Sequence, residues 1–391
     1  MQDERIKILQ IVGNARLGGV SSCILNYYRH TDLKKFSFDF VTYAPSVFDE
    51  RVKEIDPDAR VYYISPFQKN FLKALFDLEK VCGANDYDAV HSHLTTLSAF
   101  ALTSAAHAGV PVRICHVHSA FNKKSEHYLA KSFLRPFAAE HATHLMACSR
   151  HAAENIFGKR AKEATILPDA IEAEKFYSSA EEYSAARKKL GLDGKVILFV
   201  GRFVYQKNLP FLVRAFAAAA ENENMALVLL GDGEERHEIR KISSELDVAD
   251  KVKIIPPCNP ADWYKAADLF CLPSRYEGLG MAAIEAQAAG LKCLLSESVP
   301  KEADVTGKCV YLPDDLNAWT EELKKPAPHF YDCKEAIAAS HYDIAPEAQR
   351  LEGVYVKAVA EARRRCQRRA HLFRQNTIED IIIVARRLHF S

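Results

Sequence analysis

In the second half of the chain, Arg202 and Lys207 follow the apolar run Val196-Ile197-Leu198-Phe199-Val200, inside the string Gly201-Arg202-Phe203-Val204-Tyr205-Gln206-Lys207-Asn208. The carboxyl end of such a strand is where open α/β sheets bind ligands. Arg202 offers a planar fork of donors and Lys207 a point charge, a pair suited to a diphosphate; a surface loop with two unpaired cations would read the same way. Further on, Glu277-Gly278-Leu279-Gly280 opens an Ala-rich helical pattern that ends at Gly290. Its glycine N–H groups could point at a phosphate with the helix dipole behind them. Glu285 falls about two turns into that helix, an awkward place for a carboxylate unless hydroxyls or cations are near. Sugar and ribose hydroxyls would meet that need. In the first half, Gly18-Gly19 precedes the helical pattern Ser21 to Tyr28, either as a turn whose bare backbone approaches an anion or as a plain βα turn. It is not GxGxxG, so a dinucleotide fingerprint is not supported.

Positioning these residues calls for strands and helices in alternation, and both halves supply them. The first half offers Ile6 to Val12, Phe38 to Tyr43, Val61 to Ile64, Ala89 to His91, Val112 to Cys115 and Leu145 to Cys148; the second offers Val196 to Val200, Ala226 to Leu230, Val252 to Ile255, Leu269 to Leu272 and Lys292 to Leu295. Apolar runs of strand length separated by helical patterns predict parallel sheets of βαβ units. The charged stretch Pro168 to Lys195 reads as the connection between two doubly wound α/β domains that face one cleft. The domains are expected at 1–168 and 169–345. At 391 residues, 48% hydrophobic and with a net charge of +1, the chain can bury real cores and has no charge excess to draw it to nucleic acid. Ten cysteines with no CxxC spacing exclude a zinc ribbon or thioredoxin motif and fit a reducing cytoplasm. The charged start leading directly into a strand argues against a secretory signal.

The combination Gly-Arg-x4-Lys-Asn at 201–208, Leu230-Gly231-Asp232-Gly233 and Glu-Gly-x6-Glu-Ala-x3-Gly at 277–290 resembles the retaining GT-B glycosyltransferases of family four. Within them the chain is most similar to the capsular and exopolysaccharide transferases, through Ile8-Leu9-Gln10-Ile11-Val12-Gly13, Val90-His91-Ser92-His93-Leu94 and Val299-Pro300-Lys301-Glu302. The resemblance covers about residues 5 to 360. It implies two Rossmann-like doubly wound domains, with a last helix from Pro346 returning to the first. It also implies transfer of a sugar from a nucleotide sugar, of UDP type, with retention and without metal or other cofactor. By that resemblance Arg202 and Lys207 hold the diphosphate, Glu285 the ribose, and Glu277 with the Gly278-Leu279-Gly280 backbone the donor sugar. Gly18, Gly19 and Pro257 complete the donor site. His118 matches the family histidine at the cleft edge beside the donor sugar, and His91 and His93 could touch the acceptor. Ten of the fifteen histidines precede Lys159. On residue type alone any of them could be structural, and His116 and His118 share strand parity, which leaves the choice between them open.

The chain departs from the family in three places. Pro168-Asp169-Ala170 stands where Asn-Gly is common, and Ile255-Pro256-Pro257-Cys258 replaces a Gly-containing loop that meets the base. Asp56-Pro57-Asp58 reads formally as DxD but precedes a strand, so it is expected to be a turn. Outside the resemblance, Glu361 to Ser391 carries eight arginines against three acids, a net +5, with interspersed apolar residues. Such a segment could be a solvated helix or lie on an anionic membrane surface. The implied acceptor is a lipid-linked glycan of capsule or exopolysaccharide assembly, handled by a cytoplasmic protein peripheral to the inner face of the membrane. A nucleotide-sugar epimerase on a similar fold and a catalytically silent nucleotide-sugar-binding subunit are the alternatives.

Overall fold

The computed structural model describes residues 5–15, 18–120 and 128–388, with side chains as far as Arg368. The first domain is a parallel sheet of β1 (Ile6–Gly13), β2 (Phe36–Thr42), β3 (Val61–Tyr63), β4 (Ala89–Ser92), β5 (Val112–Val117), β6 (His144–Ala147) and β7 (Thr165–Ile166). Its strand order is β3-β2-β1-β4-β5-β6-β7. The second holds β8 (Lys195–Val200), β9 (Met225–Leu230), β10 (Val252–Ile255), β11 (Leu269–Leu272), β12 (Lys292–Ser296) and β13 (Cys309–Leu312), in the order β10-β9-β8-β11-β12-β13. Helices cover both faces, so central strands such as β1, β8 and β9 are near-continuous apolar runs rather than alternating ones. In both sheets the order reverses beside the first strand, between β1 and β4 and between β8 and β11, which opens a crevice at the carboxyl ends of the strands. The motif-bearing loops emerge there.

Two expectations need correction. The short edge strands β7 and β13 escape the sequence reading, because two and four residues give too little periodicity. Pro168 to Lys195 is also no loose connection. Ala173, Phe176, Tyr177, Ala186 and Leu192 belong to the second core, and Ala180–Leu190 is a helix capped by Ser179 and closed by Gly191 in the left-handed region. The crossing itself is confined to about Pro168 to Ile171. There the chain pairs with its own return, Ile171 N–H donating to the Tyr342 carbonyl (2.8 Å) and Ile344 N–H to the Ile171 carbonyl (2.9 Å). Helix Gly19–His30 braces the crossing: Tyr27 hydroxyl donates to the Pro168 carbonyl (2.7 Å) and Asn26 to that of Ala170 (3.2 Å).

The final helix, Ile344–Leu388, admits Pro346 in its first turn, where no backbone donor is lost. Ala348, Leu351, Tyr355, Ala358 and Val359, at helical spacing, are buried in the first-domain core. The helix thus returns to the first domain. Side chains of the basic tail beyond Arg368 lie outside the described residues. Asp56 to Asp58 forms a turn after helix Val47–Ile55, with Asp58 N–H donating to Asp56 Oδ1 (3.0 Å). Among the described residues no helix is long and apolar enough to cross a membrane.

Candidate active site

In the second domain, two loops at the switch point are joined to each other. The loop after β8 carries Arg202, Gln206 and Lys207, and the loop after β11 carries Ser274 to Gly280. Arg275 N–H donates to the Gln206 carbonyl (2.8 Å), Gln206 Nε2 to the Tyr276 carbonyl (2.9 Å), and Lys207 Nζ to Glu277 Oε1 (2.5 Å), an oxygen that also accepts from Ser274 Oγ (2.6 Å). The Lys207–Glu277 pair is shielded, at 16% and 7% side-chain exposure. The Arg202 side chain is exposed and has no hydrogen-bond or ionic partner among the described residues. The Leu230-Gly231-Asp232-Gly233 string acquires a physical reason. A Cβ on Gly231 would lie 1.9 Å from the Gly201 carbonyl, and one on Gly233 2.3 Å from that of Phe203, so only glycine lets the β9 turn cradle the Arg202 loop.

Gly280 (φ +94°) turns the chain into helix Met281–Ala288. One turn in, Glu285 faces Tyr264, whose hydroxyl donates to Glu285 Oε2 (2.8 Å). Burial pushes the Glu285 carboxyl up to about 7, and the Tyr264 bond counters that only in part. Tyr264 is a partner the sequence does not announce. Pro257 is exposed after β10, at the same sheet edge but two strands from β8.

In the first domain, Gly18 is extended at the start of helix Gly19–His30, and the space where a Gly19 side chain would lie is open. His91, His93, His116 and His118 do not fan into the cleft. They pack ring against ring, His91 and His93 stacked with centroids 4.3 Å apart, and His116 and His118 tilted by 37° with centroids 4.1 Å apart. His118 Nδ1 lies 2.6 Å from Asp169 Oδ1 and its Nε2 2.7 Å from His93 Nδ1; His93 Nε2 lies 2.7 Å from Gln10 Oε1. Gln10 Nε2 donates to the Tyr355 hydroxyl (3.1 Å), which lies 2.6 Å from His91 Nδ1, and His91 Nε2 lies 3.2 Å from His116 Nδ1. His116 Nε2 alone has no partner; the Leu167 main chain is near but outside hydrogen-bonding geometry. The array borders a cavity of about 20 Å³, room for one water.

The structure therefore brings Arg202, Lys207, Glu277, Gly278, Leu279, Gly280 and Glu285 to one edge, facing the first domain. A Cβ on Gly278 would sit 3.2 Å from the His118 carbonyl and 3.3 Å from Ser119 Cα, so the domains touch at this glycine. His118 presents its main chain there, while its imidazole turns inward. His91 is buried at 1% exposure, and both its nitrogens are engaged, so the structure does not bring it to the cleft; His93 is partly exposed. Burial is the reason, since the returning helix covers His91 with Tyr355. Sequence reasoning missed Asp169, Gln10 and Tyr355 as partners of the array, and only the Asp169 departure gave a signal. Two buried trios, His91 with His93 and His116, and Cys23 with His118 and Asp169, bring ligand atoms within 4.8 Å. Hydrogen bonds already account for every ring nitrogen in them except His116 Nε2.

Residues 182–310 match the family described as glycosyl transferases group 1, and residues 17–175 the family described as glycosyltransferase family 4. EpsF of Bacillus subtilis (strain 168), assigned as a glycosyltransferase, is 30% identical over 91% of this chain and 97% of its own length. The Escherichia coli UDP-Gal:alpha-D-GlcNAc-diphosphoundecaprenol alpha-1,3-galactosyltransferase is 26% identical over 75% of this chain and 79% of its own. Among solved structures, Anabaena Alr3699/HepE in complex with UDP and glucose superposes with a TM-score of 0.71 at 16% identity, over 93% of this chain and 100% of that one. With two Rossmann-like domains meeting at motif-bearing loops and a relative matched along nearly its whole length, the chain belongs to the GT-B glycosyltransferases of group 1 and family 4.

Proposed function

We propose that the protein is a retaining, metal-independent transferase that moves a sugar from a nucleotide sugar, of UDP type, to a lipid-linked glycan in capsule or exopolysaccharide assembly. The observation that carries this reading is the junction of the Arg202–Lys207 loop with the Glu277–Gly280 loop, directly across from His118 and Ser119. Arg202 and Lys207 bind the diphosphate, and Gly278 to Gly280 add backbone donors at a helix start. As the diphosphate approaches, Lys207 turns from Glu277 to the phosphate, and Glu277 becomes available to a sugar hydroxyl. Glu285 accepts the ribose hydroxyls. The acceptor oxygen bonds to the anomeric carbon on the side from which the diphosphate leaves, and its proton passes to the departing phosphate oxygen. The two cations stabilise the charge that grows there. The histidine array supports this route, because seven of its eight ring nitrogens are bonded within the protein and offer the acceptor no base.

A lipid-linked acceptor needs a membrane-facing surface, and the first domain offers one. Helices Phe71–Gly83 and Tyr128–Leu134 both follow strands at the edge that bears the histidines. They expose Leu72 (65%), Phe76 (71%), Leu129 (82%) and Phe133 (72%). Exposed apolar residues one helical turn apart on each helix suit insertion at a lipid surface.

Calorimetry of UDP, GDP and ADP with EDTA present, on wild type and Arg202→Ala, tests the nucleotide site. Tight binding of UDP, lost in the variant, supports the reading; binding of none removes it. Sedimentation with phosphatidylglycerol vesicles should fall several-fold in Leu129→Ser/Phe133→Ser, while transfer to a water-soluble acceptor is unchanged.

A further inference from the structure

Residue 169 is where the chain departs from the Asn-Gly common at this turn, and its surroundings say what the carboxylate does. Asp169 and His118 are both buried, with side chains 6% and 2% exposed, and Asp169 Oδ1 also accepts the Cys23 thiol (3.3 Å). The placement of protons follows from the other end of the array. Tyr355 oxygen accepts from Gln10 Nε2, which leaves its own proton for His91 Nδ1, and a neutral His91 accepting there donates from Nε2 to His116 Nδ1. Gln10 Oε1 can only accept, so His93 Nε2 carries a proton. Burial, with the neighbouring imidazoles, pushes His91, His93 and His116 well below the ordinary histidine range and keeps them neutral. A neutral His93 protonated at Nε2 has a bare Nδ1, and the donor facing it is His118 Nε2. On its other side His118 Nδ1 meets a carboxylate, which again only accepts. His118 therefore needs a proton on each nitrogen, one more than a neutral ring holds. An asparagine at 169 would leave that cation buried without a counter-charge.

We propose that Asp169 is a positioning residue that stores this extra proton on His118, making the ring a donor on both sides and fixing the His118–Ser119 wall of the cleft against Gly278. Only the activity part of the test below rests on the transferase reading.

The full-length protein labelled with 15N-histidine in EDTA supplies the direct readout, with the His118 signals assigned by their loss in His118→Gln. Wild type should show both ring nitrogens of His118 protonated, Asp169→Asn should show one bare, and Asp169→Glu, which keeps the charge, should retain both protons. Transfer by Asp169→Asn should lose on the order of 10- to 100-fold in kcat, the scale of a misplaced reacting group, with donor KM changed by less than about threefold. In a His118→Gln background the same substitution should cost nothing further. A wild-type ring with one bare nitrogen, or an Asp169→Asn ring identical to wild type, would overturn the proposal. So would stoichiometric zinc in the purified protein whose removal changes the His118 signals, since a metal between Cys23, His118 and Asp169 would displace the Nδ1 proton. If the ring behaves as described but no donor supports transfer, the stored proton stands and the transferase reading fails.

Discussion

The two sides of the cleft are built on opposite plans. In the first domain the array of His91, His93, His116 and His118 is bonded within itself and to Gln10, Tyr355 and Asp169, with His116 Nε2 as the one orphan among its eight ring nitrogens. In the second, the Arg202 side chain is exposed and unpaired among the described residues, Lys207 has a single carboxylate partner, and half-buried Glu285 has a carboxyl pushed up to about 7. A saturated network resists change and makes a frame; groups that are charged, exposed or marginally ionised gain most from a ligand. The frame thus lies in the first domain and the groups that a ligand would relieve in the second.

The largest effect should come from Lys207→Ala. Loss of the cation proposed to stabilise the departing phosphate should lower kcat by about 100- to 1000-fold. Ser274 and Gln206 still donate to Glu277, so unfolding should remain a single transition by calorimetry. Activity within tenfold of wild type would erase the contrast between the two sides.

Glu285→Gln sharpens the contrast through pH. In wild type the folded chain holds the Glu285 proton up to about 7, whereas the unfolded chain releases it near 4.5. Between those values the folded state binds the extra proton, so this group's contribution to stability falls as pH rises, by up to about 3 kcal/mol. Denaturant titrations of Glu285→Gln should lack that loss and show a chain more stable than wild type at pH 8. UDP binding should move the opposite way, weakening about 10- to 100-fold in the variant, because a charged acceptor of ribose hydroxyls has been replaced by a neutral one. A variant neither stabilised at high pH nor weakened in binding would dissociate Glu285 from the nucleotide.

The second-domain side of the cleft was the more legible from the sequence, for a physical reason. Its functional groups sit in continuous strings immediately after strands, so Gly201 to Asn208 and Glu277 to Gly290 carry both their chemistry and their position. The pairing of Lys207 with Glu277 follows once β8 and β11 are neighbours. The first-domain side depends on contacts remote in sequence. Gln10 meets Tyr355 across 345 residues, and His118 meets Asp169 across 51. Strand parity put His116 and His118 on one face without telling which way either ring turns. The expectation of His118 at the cleft edge finds its main chain there, and its ring in the frame. Asp169 showed itself only as a departure from a common turn, and its meaning required the fold.

The smallest effect concerns the fine setting of the second-domain side. Tyr264 hydroxyl donates to Glu285 and holds its carboxyl below the value that burial alone would give. Tyr264→Phe removes that donor with little change of shape, so the carboxyl should rise further and less of it be ionised at neutral pH. UDP should then bind roughly 3- to 10-fold more weakly at pH 7. Raising the pH ionises Glu285 in the variant as in wild type, so the deficit should shrink toward about pH 9, whereas that of Glu285→Gln should persist. Calorimetric titrations of both variants at several pH values separate the two cases. A Tyr264→Phe deficit independent of pH would mean that the hydroxyl acts on the nucleotide by shape, and that Glu285 is already fully charged when it binds.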